Sequence, residues 1–312
     1  MSLSHRVKPV VLVLFLCLTV TSCSSLMWTR RVILRGGKRV VAGSEPVLLT
    51  STRQGLEDRI KNLYNAINSF QATVDMTPSV GSVYKSRINE GSGLIKDVRS
   101  YVLYRKPGDI RIIGKAPVVR TTEFDMVSVG DSFKVYLTSK NLFVEGANSA
   151  PPNSKAVFEN LRPEHFLSAM LIMPTDATKE VAVLEDLTDE ENALYVLHFM
   201  KKAENGNWML GRNVWFDRLN LSILRQKVFD EEGLIISDTR YAKWQPWNGV
   251  MFPAEIEITR PKDGYGVQMT VVDMQMNVEV TDDKFELTQP EGSELRRIGQ
   301  PSADAGPERK AQ

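Results

Sequence analysis

Residues 100–114 read SYVLYRKPGDIRIIG, two apolar-rich segments joined by Lys106-Pro107-Gly108-Asp109. Proline presets one turn dihedral and glycine tolerates positive φ, so the joining tetrapeptide predicts a tight turn. The segments on both sides are rich in β-branched and aromatic residues, which predicts two strands. Because strands joined by so short a connection pair antiparallel, the stretch predicts a β-hairpin.

The same pattern recurs along most of the chain. Turn signals arrive about every 8–12 residues, which is the spacing of a meander or barrel. Four of them are Glu204-Asn205-Gly206, Glu231-Glu232-Gly233, Trp247-Asn248-Gly249 and Lys262-Asp263-Gly264. Successive hairpins favour an antiparallel sheet, and a large twisted sheet tends to curl or close. The predicted class is therefore mainly β (α+β).

Two helical segments accompany the strands. Apolar residues at three- and four-residue spacing from Leu56 onwards predict an amphipathic helix that ends near Asn68-Ser69 and leads into a strand. A central insertion contains a short predicted helix at 156–161 and a second at 162–171, with Pro163 in its first turn. The predicted order is helix, sheet, helical insertion and more sheet.

The N-terminus has the layout of an export signal. Arg6 and Lys8 precede an apolar run at 10–18, which is shorter than the roughly 20 residues that span a bilayer. Val20-Thr21-Ser22-Cys23 then resembles the lipobox of bacterial lipoproteins, in which the cysteine thiol carries a diacylglycerol. We expect cleavage before Cys23 and lipidation of Cys23, with an ordinary signal peptide and a chance cysteine as the alternative. Since Cys17 leaves with the signal peptide, no internal disulfide is expected.

The residue after the cysteine bears on the location. In enteric Gram-negative bacteria an aspartate there retains a lipoprotein in the inner membrane, and by analogy Ser24 is compatible with transfer to the outer membrane. More than one acyl chain is needed for stable attachment, at roughly 0.8 kcal/mol per buried CH₂. The expected location is the cell envelope, lipid-anchored at the outer membrane and facing the periplasm.

The chain divides into four predicted parts. Residues 1–22 are the signal peptide, 23–52 a lipidated basic tether, 53–290 the folded domain and 291–312 a disordered tail. The tether has five basic residues between positions 30 and 39. It either lies against anionic lipid headgroups or is a solvated linker.

Composition and motifs exclude several function classes. Lys and Arg together number 39 against 38 Asp and Glu, so no basic excess points to nucleic acid. The three histidines, His5, His165 and His198, do not form a metal-ligand set by their spacing. The sequence has no nucleophile elbow, phosphate loop or dinucleotide fingerprint. We therefore predict a protein that is not an enzyme and needs no cofactor or metal.

The order of the motifs resembles that of the LolA/LolB superfamily of bacterial lipoprotein carriers and receptors. The stretches that carry the resemblance are Ile67–Ala72, Tyr104–Arg111, Val129–Tyr136, Trp215–Asp217 with Leu224–Asp230, and Tyr241–Trp244 with Phe252–Ile256. Together they cover roughly residues 54–290. The resemblance implies a strongly curved, antiparallel, half-open β-barrel with an N-terminal helix and a central helical lid. It also implies an apolar concavity that takes acyl chains.

The resemblance leads to two functional hypotheses. The first is a membrane-anchored lipoprotein that binds lipid or lipoprotein acyl chains in an apolar cavity and takes part in their transfer or insertion. The candidate lipid-binding residues are apolar and belong to the helical segments: Leu63, Ile67, Phe158, Leu161, Phe166, Leu167 and Met170. The alternative is a structural or interaction lipoprotein that binds an envelope protein through the same fold.

Anchoring and membrane contact refine the first hypothesis. A chain fixed at Cys23 fits a stationary receptor better than a soluble shuttle. Receptors of this superfamily engage the membrane with an exposed apolar loop. Leu142-Phe143-Val144 is a candidate for that loop, with an ordinary buried strand as the alternative.

Overall fold

The computed structural model describes residues 47–80, 97–116, 118–150 and 160–298. The helices of these ranges are α1 (Arg53–Asn65) and α2 (Pro163–Met170), with 3₁₀ turns at Thr138–Lys140 and Asp282–Phe285. The strands are β1 (Ser69–Val80), β2 (Val98–Arg105), β3 (Asp109–Lys115), β4 (Thr122–Val129), β5 (Ser132–Leu137), β6 (Leu142–Ala147), β7 (Glu180–Thr188), β8 (Ala193–Lys202), β9 (Trp208–Asp217), β10 (Ile223–Phe229), β11 (Ile235–Trp247), β12 (Val250–Arg260), β13 (Tyr265–Met276) and β14 (Glu294–Ile298).

The strands of the described residues form one open sheet of 14 strands, in the order β14-β6-β5-β4-β3-β2-β1-β13-β12-β11-β10-β9-β8-β7. Neighbouring strands pair antiparallel, except that β14 runs parallel to β6. The hairpin predicted at residues 100–114 is present as β2 and β3, with Arg105 opposite Asp109. The prediction of a mainly β protein with an antiparallel open sheet is confirmed.

The curvature of the sheet follows from the contacts of α2. Gln226 on β10 donates a hydrogen bond to this helix. Phe133 on β5 contacts Arg162, the residue that precedes the helix. These two strands lie eight steps apart in the strand order. Eight steps span about 38 Å in a flat sheet, at about 4.8 Å per step. Because an eight-residue helix is only about 12 Å long, the sheet must wrap around α2.

The two faces of the sheet differ in polarity, as the strand alternation requires. On β2 the residues Val98, Ser100, Val102 and Tyr104 are buried on the concave face, while Arg99 points to the convex face. Arg99 forms a bidentate ion pair there with Asp75 of the neighbouring β1. The concave face therefore supplies the main core and the convex face is largely polar.

The first helix begins and ends with clear local signals. Thr52 caps α1 by accepting a hydrogen bond from the backbone N–H of Gly55, at 3.1 Å. Leu56 and Ile60 are fully buried against the sheet. The helix ends at Asn65, which is three residues before the predicted end, and β1 begins at Ser69.

The predicted C-terminal boundary of the domain is wrong. Residues 291–312 were expected to be a disordered tail, but Glu294–Ile298 forms β14 along the edge of β6. Ile298 is buried in the main core. The folded region therefore continues through Ile298.

The segment proposed as a membrane-engaging loop is a buried strand. Leu142, Phe143 and Val144 are each at most 2% exposed and belong to β6. Phe143 packs on the convex side in a small second core with Phe285 and other residues that follow β13. The alternative reading of this segment, an ordinary strand, is therefore confirmed.

Candidate ligand-binding site

The part of the concave face beneath α1 is apolar. Ile60, Leu63 and Ile67 on and after this helix face Trp244 and Phe252 of the sheet. Met170 and the two residues after α2 close the space between them, leaving a cavity of about 20 Å³. That volume holds about one water molecule and no acyl chain. In this conformation the hollow of the sheet is filled by the protein itself.

The second helix lies over the concave face and buries its apolar side there. Phe166, Ala169 and Met170 are each at most 5% exposed. Pro163 occupies the first turn, where its missing N–H costs nothing. Leu167 reaches the β2–β3 turn, because a Cβ built on Gly108 would lie 4.0 Å from its Cδ2 atom.

Side-chain hydrogen bonds from the sheet hold α2 in place. The Tyr241 hydroxyl donates to the carbonyl oxygen of Ala169 at 2.8 Å. The Gln226 amide donates to the carbonyl oxygen of Ser168 at 3.4 Å. The Tyr265 hydroxyl and His165 Nδ1 lie 2.7 Å apart. These contacts involve side chains of the sheet, and none of them belongs to the strand pairing.

Charged groups surround the N-terminal end of α2. Arg260 pairs with Asp263, and both residues are nearly fully buried. The Arg162 guanidinium lies 4.2 Å from the Phe133 ring centroid and donates to the carbonyl oxygen of Leu161 at 2.8 Å. Burial, with smaller contributions from the positive charges of Arg260 and Arg162, holds the pKa of His165 well below its usual value of 6.5. His165 is therefore neutral in this conformation at pH 7.

The structure brings most of the predicted lipid-binding residues into one core. Ile67, Leu161, Phe166 and Met170 are buried in the main cluster, and Leu63 and Leu167 pack against it. Among them, Leu63, Ile67 and Met170 line the small cavity. Phe158 and Cys23 lie outside the described residues. The predicted signal peptide also lies outside them, as does the tether up to residue 46.

Sequence reasoning did not assign the strand residues of this site. Gln226, Tyr241 and Tyr265 face α2, and Ile223 and Trp244 line the cavity. Strand alternation could have put Tyr241 and Tyr265 on the concave face. It could not have shown that they meet a helix about 70 to 100 residues earlier in the chain.

The described residues show neither a metal site nor a membrane-spanning helix. They contain no group of three or more His, Cys, Asp and Glu residues that could hold a metal ion. His198 lies apart from His165, on β8, where its two ring nitrogens contact Asn213 and Glu185 at 2.9 and 2.8 Å. The helices of the described residues are all too short or too polar to cross a bilayer.

The loop between β3 and β4 carries exposed apolar residues. Val118 is 91% exposed and Val119 is 69% exposed. Arg120 follows them with a φ of 53°, and its backbone N–H donates to the carbonyl oxygen of Ala116. Lys115 precedes the loop at the end of β3. Two valines that point into solvent between two cations are suited to contact with an anionic surface.

Comparisons with known proteins bear on the fold. No protein-family model and no curated protein sequence matches the chain. Among solved structures, a DUF1329 family protein from Desulfovibrio piger has 14% identity and a TM-score of 0.50, covering 78% of this chain and 98% of that protein. A LolA superfamily protein from Nitrosomonas europaea has 14% identity and a TM-score of 0.48, covering 76% of this chain and 99% of that protein.

The likeness to the DUF1329 family protein shows the class of fold. It is an open, curved antiparallel sheet, as the sequence predicted. At 14% identity the likeness concerns the fold alone. The likeness therefore does not identify a ligand.

Proposed function

We propose that this chain is a membrane-anchored lipoprotein of the cell envelope that binds acyl chains on the concave face of its sheet. Cys23 carries the lipid anchor, and Ser24 permits transfer of the protein to the outer membrane. Acyl chains enter when α2 moves away, and they leave when it returns. The chain thereby takes part in the transfer or insertion of lipids or lipoproteins, without covalent chemistry.

One observation carries this proposal: a short helix covers the apolar concave face and is held mainly by side chains. Displacing α2 would uncover Phe166 and Met170 on the helix and Phe252 and Ile256 on the sheet, all at most 5% exposed now. Such an apolar hollow in a curved sheet is suited to hydrocarbon, because each buried CH₂ contributes about 0.8 kcal/mol. The displaced helix and the ligand compete for the same surface.

The proposal is tested by lipid uptake. The mature chain with Cys23→Ser is purified, delipidated and exposed to long-chain acyl lipids, and native mass spectrometry then counts the bound molecules. We expect a stoichiometric complex with one or two acyl chains per protein. Persistent failure to take up any acyl lipid contradicts the proposal.

The small cavity favours a second candidate function. With a volume of about 20 Å³, the hollow is nearly filled, as expected of an interaction lipoprotein that binds an envelope protein. Pull-down from envelope extracts with Phe166→Asp separates the two functions. Aspartate at position 166 places a charge on the apolar face of α2 and should abolish lipid uptake. Capture of a partner that persists without lipid uptake supports the interaction function, whereas loss of capture together with lipid uptake supports the acyl-binding function.

We further propose that the β3–β4 loop touches the membrane. Replacing Val118 and Val119 by Asp should weaken binding of the Cys23→Ser chain to phosphatidylglycerol vesicles at least about tenfold, since burying a valine contributes about 1.5 kcal/mol or more. Co-sedimentation with vesicles measures this. Val129→Asp/Ser132→Asp is the matched control, because it adds the same two negative charges at exposed positions beside the β4–β5 turn and should leave binding unchanged. Equal losses in both variants would show that general charge, and not this loop, governs membrane contact.

A further inference from the structure

Part of the concave face beneath α2 is polar, beside the apolar part that Phe166 and Met170 cover. We call this region the polar floor and define it by Gln226, Ser237, Thr239, Tyr241 and Tyr265, which lie on β10, β11 and β13. All five are at most 6% exposed. Gln226 lies opposite Thr239 in the strand register, and Ser237 and Thr239 are neighbours on one face of β11.

The polar floor presents donors to carbonyl oxygens. Tyr241 and Gln226 donate to the carbonyl oxygens of Ala169 and Ser168, two consecutive peptide groups of α2. Burial raises the pKa of Tyr241, so its hydroxyl keeps its proton and remains a donor. Among the described residues, Gln226 Oε1 has no hydrogen-bond partner, so this amide is only half satisfied.

These donors lose their acceptors when α2 moves away. A buried donor without an acceptor is costly, and a plain hydrocarbon chain cannot satisfy it. An ester or amide carbonyl can take the place of the peptide carbonyl, since its oxygen accepts the same hydrogen bond. The polar floor therefore selects for a carbonyl group next to the hydrocarbon chain.

Two further observations specify the ligand. Tyr241 also lines the apolar cavity beneath α1, so a carbonyl bound there continues directly into the apolar region that holds a hydrocarbon chain. The charged groups beside the polar floor are already engaged, because Arg260 pairs with Asp263 and Arg162 contacts Phe133 and Leu161. This arrangement favours an uncharged ester or amide over a free carboxylate.

We propose that Tyr241 and Gln226 form a binding site for the ester or amide carbonyl of an acyl lipid, with its hydrocarbon chain beneath α1. The proposal rests on the proposed function, since it needs α2 to move and acyl chains to enter. It assigns these two side chains the role of distinguishing O-acyl and N-acyl lipids from ethers, alkanes and free fatty acids.

A matched pair of ligands tests the site. 1-Monooleoylglycerol has an ester carbonyl, and 1-O-oleylglycerol has an ether in the same position. Native mass spectrometry with the mature Cys23→Ser chain measures competition between them. We expect the ester to bind at least about tenfold more tightly, because a single unsatisfied buried donor already costs roughly that factor. The double variant Tyr241→Phe/Gln226→Leu should bind both ligands equally.

The ratio of the two affinities isolates the site from other effects of the substitutions. A substitution that loosens α2 changes the affinities for the ester and the ether by the same factor. That factor cancels in their ratio. Asn213→Leu, on the convex side beside His198, is the control and should keep the tenfold preference. Equal binding of ester and ether to the unmodified protein, or a preference that survives in the double variant, overturns this inference while the proposed function stands. Failure to bind either ligand overturns the proposed function, and this inference with it.

Discussion

Acyl-ligand uptake should become about tenfold more favourable between pH 7.5 and pH 5.5, because the closed position of α2 requires a neutral His165. The His165 side chain contacts the Tyr265 hydroxyl at 2.7 Å and lies near Arg162 and Arg260, of which Arg260 pairs with Asp263. Burial and the two arginines hold its pKa well below 6.5 in this conformation. Once α2 moves into solvent, the pKa of His165 returns to about 6.5.

The direction of the effect follows from proton counting. The open form binds more protons than the closed form at pH values below about 6.5, so acid favours the open form. Closure of α2 is therefore most favourable above that pH. It becomes less favourable as the pH falls towards the pKa that His165 has in the closed form. For a single titrating group with an open-form pKa of about 6.5, the equilibrium constant for uptake at pH 5.5 is about ten times that at pH 7.5.

Rates and affinities of uptake at the two pH values measure the effect. The His165→Gln variant can still hydrogen-bond to Tyr265 and does not titrate, so its uptake should be nearly independent of pH. His198→Gln is the matched control, because His198 lies on β8 away from α2 and its removal should leave the pH dependence intact. A pH dependence that persists in His165→Gln would assign the effect to another group.

Local patterns predicted much of the sheet. The turn at Pro107-Gly108 and the alternation of apolar residues on both sides are sufficient to define β2 and β3. Such features depend on residues that are close in sequence, and so they can be read from the sequence. The same holds for α1, where a helical period and a threonine cap lie within a few residues of each other.

Features that depend on distant contacts were missed. β14 has five residues, including Arg296 and Arg297, and its pairing with β6 joins segments about 150 residues apart. β-Branched residues favour strands, yet Val118 and Val119 lie in an exposed loop because β4 begins only at Thr122. No periodicity distinguishes a protruding valine from a buried one.

The polar floor was missed for a related reason. Gln226 and Thr239 are polar residues in strands, and a sequence pattern assigns such residues to the solvent face. Here they are buried on the concave face, where Gln226 donates to the carbonyl oxygen of Ser168 on α2 and Thr239 contacts the hydroxyl of Ser237. The candidate site was therefore predicted on its apolar side, from the helices, and not on its polar side.

The central claim is that α2 must move for acyl chains to enter. A second prediction follows from this claim: fixing α2 to the sheet should prevent lipid uptake. Gly108→Cys and Leu167→Cys, in the Cys23→Ser mature chain, place two thiols where α2 meets the β2–β3 turn. The short thiol cross-linker dibromobimane then ties the helix to the sheet. The matched control is Val129→Cys/Ser132→Cys, a directly paired position across the β4–β5 turn, where the same cross-link leaves α2 free.

Uptake of monooleoylglycerol by the cross-linked and untreated forms is the most direct measurement of this claim. We predict that cross-linking α2 to the β2–β3 turn reduces uptake to background, while the cross-linked control and the untreated double variant take up lipid like the unmodified chain. Undiminished uptake by the chain with α2 tied to the sheet would contradict the account.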